Sequence, residues 1–167
     1  RRFVRLVKAF AKASGLVDAY GGYLNSVSWV FLAICFLQEQ SALPPCLNLL
    51  DGVEKSTLRP AEPLVKLLED FFAFMETCGR RPHRVCVFRA KNDGGGLSPL
   101  PSPSAHPLVV EHPCSRGWNL AQSLRDAGWS ETVKACVHAR ALLRASLPSG
   151  SLVERMFGAA VVAAEAE

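Results

Sequence analysis

Four cationic side chains near the start of the chain recur every three or four residues: Arg1, Arg5, Lys8 and Lys12. Residues at this spacing share one face of an α-helix, so the four cations would form a basic stripe. Lys8 and Lys12 lie one turn apart and could direct two ammonium groups at a single polyphosphate. The same pattern is also typical of a solvated helix face, and the stripe alone leaves both interpretations open.

A second polar group stands at the entrance of the most apolar stretch in the chain. Between Val27 and Leu37 every residue except Ser28 is apolar or cysteine, and Asn25 and Ser26 precede this run. Asn and Ser are favoured N-caps of helices, which is one interpretation of this entrance. In the other interpretation, the free backbone N–H groups and the Ser26 hydroxyl form an anion site at the helix N-terminus.

The spacing of cysteines and histidines predicts neither a metal site nor a disulfide framework. The six cysteines include no C-x-x-C pair, and the four histidines have no ligand spacing on a helix. Cys35 and Cys136 are predicted to be small buried apolar residues, with the thiols reduced in an intracellular compartment. The acidic residues include no Asp-x-Asp pair and the chain has no phosphate-binding glycine loop, so no catalytic residue is predicted.

The composition predicts a single globular domain. The chain has 167 residues, of which 49% are hydrophobic and 20% are charged, enough to bury a substantial core. The net charge of +4 permits contact with RNA without requiring it. The apolar run Val27–Leu37 is far shorter than the roughly 20 residues of a bilayer-spanning helix, so we expect a central core helix and no membrane partner.

Apolar periodicity predicts a mainly helical α+β domain with a small β-hairpin over residues 1–147, followed by a helical C-terminal extension, 148–167. A flexible loop is predicted over 91–107, where Gly, Pro and Ser concentrate. The predicted strands, which could pair as a hairpin across that loop, are Arg84–Ala90 and Leu108–Glu111. The predicted helices are 1–14, the apolar run continued to about Gln40, Glu62–Thr77, Asn119–Ala127, and Ser130–Ser146 with Ser130 as its N-cap.

Four stretches, taken in order, resemble the second half of the noncanonical poly(A) polymerases and terminal uridylyltransferases. RRFVRLVKAFAK is similar to a family helix with two lysines four apart, and GGYLNSVSWVFLAICFLQ to a Gly-x-Leu-Ser-Ser-Tyr helix ending in Leu-Gln. PLVKLLEDFFAFM is similar to a Leu-Leu-x-x-Phe-Phe helix, and LVVEHPCSRGWNLAQSL to an Ile-Glu-Asp-Pro-Phe segment followed by Asn. The resemblance covers about residues 1–145 and implies the central helical domain that carries the poly(A)-polymerase-associated segment.

The resemblance implies roles for several polar residues. It places the triphosphate of a nucleotide on Lys8, Lys12 and Ser26, and it gives Asn119 a part in shaping the base or ribose side. The two arginines of the basic stripe would contact RNA or phosphate. Mg²⁺ and a nucleoside triphosphate would act only with a joined catalytic domain, since that domain supplies the metal-binding carboxylates in the family.

Three positions depart from the family pattern. Val27 replaces the aromatic residue that stacks on the base, a contact worth about 1–3 kcal/mol per base. His112 replaces the Asp before the proline. Trp118 replaces the histidine that favours uracil, which argues against selectivity for uridine; Trp118 is itself a candidate base contact, with a core or lid role as the alternative.

The catalytic carboxylates of the family have no counterpart here, so the resemblance implies a fragment, one half of a split enzyme, or a domain that has lost its catalytic partner. One predicted function is the nucleotide- and RNA-contacting domain of a template-independent RNA nucleotidyltransferase, not catalytic alone. The other is a non-catalytic structural or RNA-binding component of a ribonucleoprotein, such as an organellar ribosome or RNA-processing complex. The expected partners are RNA and either a catalytic half or that larger ribonucleoprotein, in a reducing intracellular location with the mitochondrion as one option.

Overall fold

The computed structural model describes residues 2–41, 43, 63–88, 95–101, 104–115 and 117–145. Their helices and strands are, in chain order, α1 Arg2–Ala13, α2 Ser26–Glu39, α3 Leu64–Gly79, β1 His83–Cys86, β2 Gly96–Pro99, β3 Leu108–Val110 and α4 Asp126–Arg144. This is the mainly helical α+β architecture that the sequence predicts. The predicted extension 148–167 lies outside the described residues. Among these helices, none combines the length and apolar composition that a bilayer crossing requires.

Helix α2 is the central element of the core. It packs against α1, α3 and all three strands, and its residues Trp29, Leu32 and Phe36 are almost completely buried. Phenylalanines of α1 and α3 surround it: the ring centroids of Phe3 and Phe71 each lie 5.6 Å from that of Phe36. Burial against so many neighbours explains why the sequence of α2 has hardly any polar face, as predicted.

The three strands form one mixed sheet in the order β2-β1-β3. β1 pairs in parallel with β3, so the predicted hairpin between Arg84–Ala90 and Leu108–Glu111 is wrong in its partner. The antiparallel partner of β1 is β2, which lies inside the predicted loop 91–107. The sequence of β2, Gly-Leu-Ser-Pro, has two residue types that disfavour strands, and its Pro99 is tolerated because β2 is an edge strand.

Two polar side chains at the end of α2 attach the helix to the sheet region. Gln38 Nε2 donates a hydrogen bond to the Val87 carbonyl oxygen at 2.9 Å. The Leu97 N–H of β2 donates to the Glu39 carboxylate at 3.0 Å. The polar residues that close the apolar run therefore satisfy backbone groups that the small sheet leaves unpaired.

The segment predicted as a helix over Asn119–Ala127 is instead a series of turns up to Arg125. The Asn119 side-chain oxygen accepts hydrogen bonds from the N–H groups of Val110 and Ala121, both at 2.9 Å. A side chain that binds nearby backbone groups in this way competes with helical hydrogen bonding. The same contacts fasten these turns to the end of β3.

Helix α4 begins at Asp126, four residues before the predicted N-cap Ser130. Gly128 made this helix start hard to predict from the sequence, because a glycine at such a position is typical of a break between helices. The structure gives a packing reason for this glycine: a Cβ atom at its position would lie 2.3 Å from the Gly22 carbonyl oxygen. The N-terminus of α4 therefore rests directly on the turn that leads into α2.

Gly128→Ala should destabilise the fold, although alanine is the better helix former by about 1 kcal/mol. The added Cβ would collide with backbone at Gly22, and overpacking costs about 1–3 kcal/mol. Urea denaturation followed by circular dichroism measures the free energy of unfolding. Ala127→Gly is the control, because it reports helix propensity at the neighbouring exposed position; a Gly128→Ala variant more stable than the wild type would contradict the packing.

Candidate polyphosphate-binding site

Helix α1 has one buried and one charged face. The buried face consists of Phe3, Val7, Phe10 and Ala11. The exposed face carries Arg5, Lys8 and Lys12. The predicted basic stripe is thus a solvent-facing row on α1, although Arg1 lies outside the described residues. Within the described part of the chain, none of these three cations forms an ion pair.

The N-terminus of α2 is fixed by Asn25. Its Oδ1 accepts a hydrogen bond from the Ser28 N–H at 2.8 Å, which makes Asn25 the N-cap among the predicted candidates. Its Nδ2 donates to the Leu120 carbonyl oxygen at 2.7 Å. One side-chain amide therefore both caps α2 and attaches it to the turns before α4. The Ser26 hydroxyl has no hydrogen-bond partner among the residues that the structure describes.

The polar ends of α1 and α2 meet in a hollow of about 430 Å³, which we call the lysine hollow. It is lined by Lys8, Ala9, Ala11, Lys12, Val17, Ser26 and Trp29. The structure thus brings both lysines and the serine to one concave surface. The volume lies in the range of about 300–1,000 Å³ that is typical of small-molecule sites.

The lysine hollow has a cationic rim and an apolar floor. Trp29 is completely buried, and its indole N–H donates to the Leu16 carbonyl oxygen at 3.2 Å, which fixes the ring under the hollow. No acidic side chain is among the lining residues that the structure describes. Two ammonium groups above low-dielectric walls attract anions strongly. The arrangement can bind a phosphate group through charge and a hydroxyl hydrogen bond, and its described lining residues include no carboxylate, histidine or cysteine.

The two positions predicted from the resemblance to meet a base are exposed, but neither lines the lysine hollow. Val27, the second residue of α2, is 50% exposed, and Trp118 is 56% exposed. Trp118 stacks on His112 with ring centroids 5.9 Å apart and ring planes inclined by 24°. Trp118 therefore has an intramolecular partner while more than half of its side chain remains accessible.

The Asn119 side chain joins the end of β3 to the turns before α4. Its Oδ1 is occupied by two backbone N–H groups. Its Nδ2 is buried and has no hydrogen-bond partner within the described residues. Asn119 does not line the lysine hollow, and its predicted part in shaping a base or ribose site stays a prediction.

Sequence reasoning missed the contacts that hold the entrance of α2 in place. The Arg125 N–H donates to the Gly22 carbonyl oxygen at 2.9 Å, and the Tyr23 hydroxyl donates to the Glu131 carboxylate. This hydrogen bond to Glu131 raises the pKa of Tyr23 above its ordinary value, because it favours the protonated hydroxyl. Paired glycines are typical of a turn, and Gly22 adopts a positive φ of 89°, but the distant partners of this turn leave no local signal in the sequence.

The described part of the chain has no group of three or more His, Cys, Asp or Glu side chains that could hold a metal ion. The described lining of the lysine hollow likewise includes no carboxylate that could hold a Mg²⁺ ion. Cys35 and Cys136 are fully buried, as predicted. Burial raises the pKa of Cys78 to about 12 and also raises that of Cys136, so both thiols stay protonated and unreactive.

Solved structures share this fold over almost the whole chain. A cytoplasmic RNA terminal U-transferase superimposes with a TM-score of 0.74 at 19% identity, over 94% of this chain and 57% of that one. Cid1, with RNA terminal uridylyl transferase activity, gives 0.70 at 18% identity, over 94% and 55%. The poly(A) polymerase mtPAP in complex with UTP gives 0.67 at 17% identity, over 93% and 37%. The chain has the fold of this part of RNA nucleotidyltransferases.

The likeness is one of fold. No protein-family profile matches the chain, and no curated protein matches its sequence. The chain spans between 37% and 57% of the length of the three proteins it superimposes on. The structural comparison thus supports the family resemblance that the four sequence stretches indicated, and it does so without close sequence relatives.

Asn25→Ala should lower the free energy of unfolding by about 2 kcal/mol, because it removes an N-cap and a hydrogen bond to Leu120 that each contribute about 1 kcal/mol. Asn25→Ser is the matched variant, since serine keeps a capping oxygen but cannot reach across to the turns before α4. Urea denaturation should therefore rank the serine variant between the wild type and the alanine variant. Equal stability of the serine variant and the wild type would show that the bond to Leu120 contributes nothing.

Proposed function

We propose that this chain is the nucleotide- and RNA-contacting domain of a template-independent RNA nucleotidyltransferase, and that it is not catalytic alone. The lysine hollow carries the proposal, because Lys8, Lys12 and Ser26 reach it from two different helices. The two ammonium groups would bind the β- and γ-phosphates of a nucleotide, and the Ser26 hydroxyl would donate to the triphosphate. A concave surface that carries two cations and an unpartnered hydroxyl is better suited to bind a polyphosphate than a basic helix face that only meets solvent.

Proteins with the same fold support a nucleoside triphosphate as the ligand class. mtPAP has been crystallised in complex with ATPγS, UTP, GTP and CTP. The terminal U-transferases act, by their names, on the ends of RNA. Carboxylates for the accompanying Mg²⁺ would come from a catalytic domain, joined or in a partner chain, because the described residues offer no such cluster.

We infer that base selection is weak and that adenylation is favoured over uridylation. Val27 is exposed at the position where the resemblance places a stacking ring, but an aliphatic side chain cannot stack. Trp118 occupies the position of the uracil-selecting histidine. Asn119 would shape the base or ribose side through the turns that it holds, and Arg5 would contact the RNA backbone along the basic stripe.

The combined variant Lys8→Ala with Lys12→Ala should weaken binding of Mg-ATP at least tenfold, because each charged hydrogen bond contributes about 1.5–3 kcal/mol. Isothermal titration calorimetry on the chain gives the Kd directly. The control is Arg81→Ala with Lys134→Ala, which also removes two exposed cations but leaves the lysine hollow intact. If both double variants weakened Mg-ATP binding equally, the effect would come from net charge alone, and the proposed site would be contradicted.

The residues at the two positions where the resemblance places base contacts favour a second function. Trp118 is already stacked on His112, and Val27 offers no ring, so the domain could serve as a non-catalytic component of a ribonucleoprotein. The basic stripe would then contact RNA backbone, and the affinity for RNA would fall steeply with salt. Both functions share RNA as a partner and a reducing intracellular location, with the mitochondrion as one option.

Nucleotide binding separates the two functions. A measurable Kd for Mg-ATP or Mg-UTP that depends on Lys8 and Lys12 would count against the ribonucleoprotein role. Salt-dependent RNA binding by a chain that binds neither nucleotide would favour that role. Adding a catalytic domain and assaying tail addition extends the test, because loss of the two lysines should then raise the nucleotide KM.

A further inference from the structure

A second hollow, of about 520 Å³, lies beside the turns before α4 and shares no lining residue with the lysine hollow. Its polar side chains are those of His106, Gln122, Ser123, Arg125 and Asp126, and we call it the arginine hollow. In the described part of the chain, none of these five side chains has a hydrogen-bond partner. Polar groups that converge on a concave surface without satisfying one another are available to a ligand.

The backbone beneath the arginine hollow is held by tertiary hydrogen bonds. The Arg125 N–H donates to the Gly22 carbonyl oxygen at 2.9 Å. The Asn25 amide donates to the Leu120 carbonyl oxygen at 2.7 Å, and the Asn119 side chain accepts from the first of the turns at 2.9 Å. The polar side chains on the turns before α4 and at the start of α4 therefore project from a preorganised backbone, which lowers the entropic cost of binding.

A fully exposed aromatic ring follows directly in the chain after a residue that lines this hollow. Ala19 lines the hollow, and the next residue, Tyr20, is 99% exposed. The Asp18 carboxylate accepts hydrogen bonds from the N–H groups of Tyr20 and Gly21 at 3.0 and 2.9 Å, which fixes the turn that carries the ring. A ring that buries nothing in the fold adds no hydrophobic stabilisation, but it offers both faces for stacking on a base.

We propose that the arginine hollow and Tyr20 together bind single-stranded RNA, with Tyr20 stacking on a base and Arg125 pairing with a backbone phosphate. Asp126 decides the ligand class. Its carboxylate would repel a free polyphosphate, but it can accept a hydrogen bond from a ribose 2′-hydroxyl, which DNA lacks. Gln122 and His106 provide donors and acceptors for base edges. A ribonucleotide within a strand is the ligand that uses the ring, the cation and the carboxylate at once.

The loop between α1 and α2 contributes a lining residue to each hollow. Val17 lines the lysine hollow, whereas Ala19 lines the arginine hollow. A strand bound at the arginine hollow would therefore lie one loop away from the nucleotide proposed for the lysine hollow. This inference deepens the proposed function, and it depends on that function for RNA as the partner.

Fluorescence anisotropy on the full chain tests the inference with a labelled oligoadenylate of about 12 nucleotides, as RNA and as DNA. Tyr20→Ala and Arg125→Gln should each raise the Kd for RNA about tenfold, while Tyr20→Phe, which keeps the ring, should restore tight binding. Lys134→Gln, which removes an exposed cation farther along α4, is the matched control and should change the Kd by less than about twofold. Thermal unfolding of each variant shows that the fold is retained.

The preference for RNA over DNA tests the role of Asp126. The wild type should bind RNA about tenfold more tightly than DNA of the same sequence, and Asp126→Ala should bring the two Kd values together. The inference is overturned if the chain binds no RNA, if RNA and DNA bind equally to the wild type, or if Tyr20→Ala and Arg125→Gln behave like Lys134→Gln.

Failure here is distinguishable from failure of the proposed function. Substitutions at Tyr20 and Arg125 can leave the RNA affinity unchanged while Mg-ATP binding still depends on Lys8 and Lys12. In that case the arginine hollow is not the RNA site, and the proposed function stands. If RNA affinity depends on Tyr20 and Arg125 but Mg-ATP does not bind, the RNA site stands and the nucleotide site falls.

Discussion

The side-chain amide of Asn25 is the contact on which the arrangement of both hollows depends. Its oxygen caps α2 and its nitrogen holds the Leu120 carbonyl, so one planar group sets where α2 begins and how far the turns before α4 lie from it. Ser26 follows directly, which means that the same amide places the serine hydroxyl relative to the lysines of α1. The Arg125 N–H bond to Gly22 supports this junction from the other side. The entrance of α2 and the start of α4 are thus joined through hydrogen bonds at a place where the surface stays open.

Helices α1 and α2 contribute to both the core and the open surface, because each has a buried part and a part that faces solvent. Phe3 and Phe10 bury one face of α1, which leaves the lysine row in solvent at little cost to stability. Trp29 is a core residue and also the floor of the lysine hollow, so the apolar packing of α2 determines the depth of that hollow. A polar site built on helices whose other faces are tightly packed is held more rigidly than one built on loops.

Features encoded by local periodicity could be predicted from the sequence, and features encoded by distant partners could not. The row of Lys8 and Lys12 and the burial of α2 follow from residue types at short spacing, and the burial of Cys35 and Cys136 follows from the apolar run and the helical pattern in which they lie. The start of α4 depends on Gly128 meeting Gly22, and the turns before α4 depend on Asn119 meeting the end of β3. These are contacts between residues far apart in the chain, for which a single sequence carries no signal, and the parallel pairing of β1 with β3 is of the same kind.

The lack of a ring at Val27 and the pair of lysines in the lysine hollow are physically compatible. Stacking needs a ring in a defined plane, which the side chain of Val27 does not provide, whereas an ammonium group acts as a point charge that tolerates many ligand geometries. The two ammonium groups of the lysine hollow repel each other above an apolar floor, and no carboxylate among the described lining residues neutralises them. A bound polyanion would relieve that repulsion, and the relief would be largest for adjacent phosphates. The physical case for a polyphosphate in this hollow is therefore stronger than the case for any particular base.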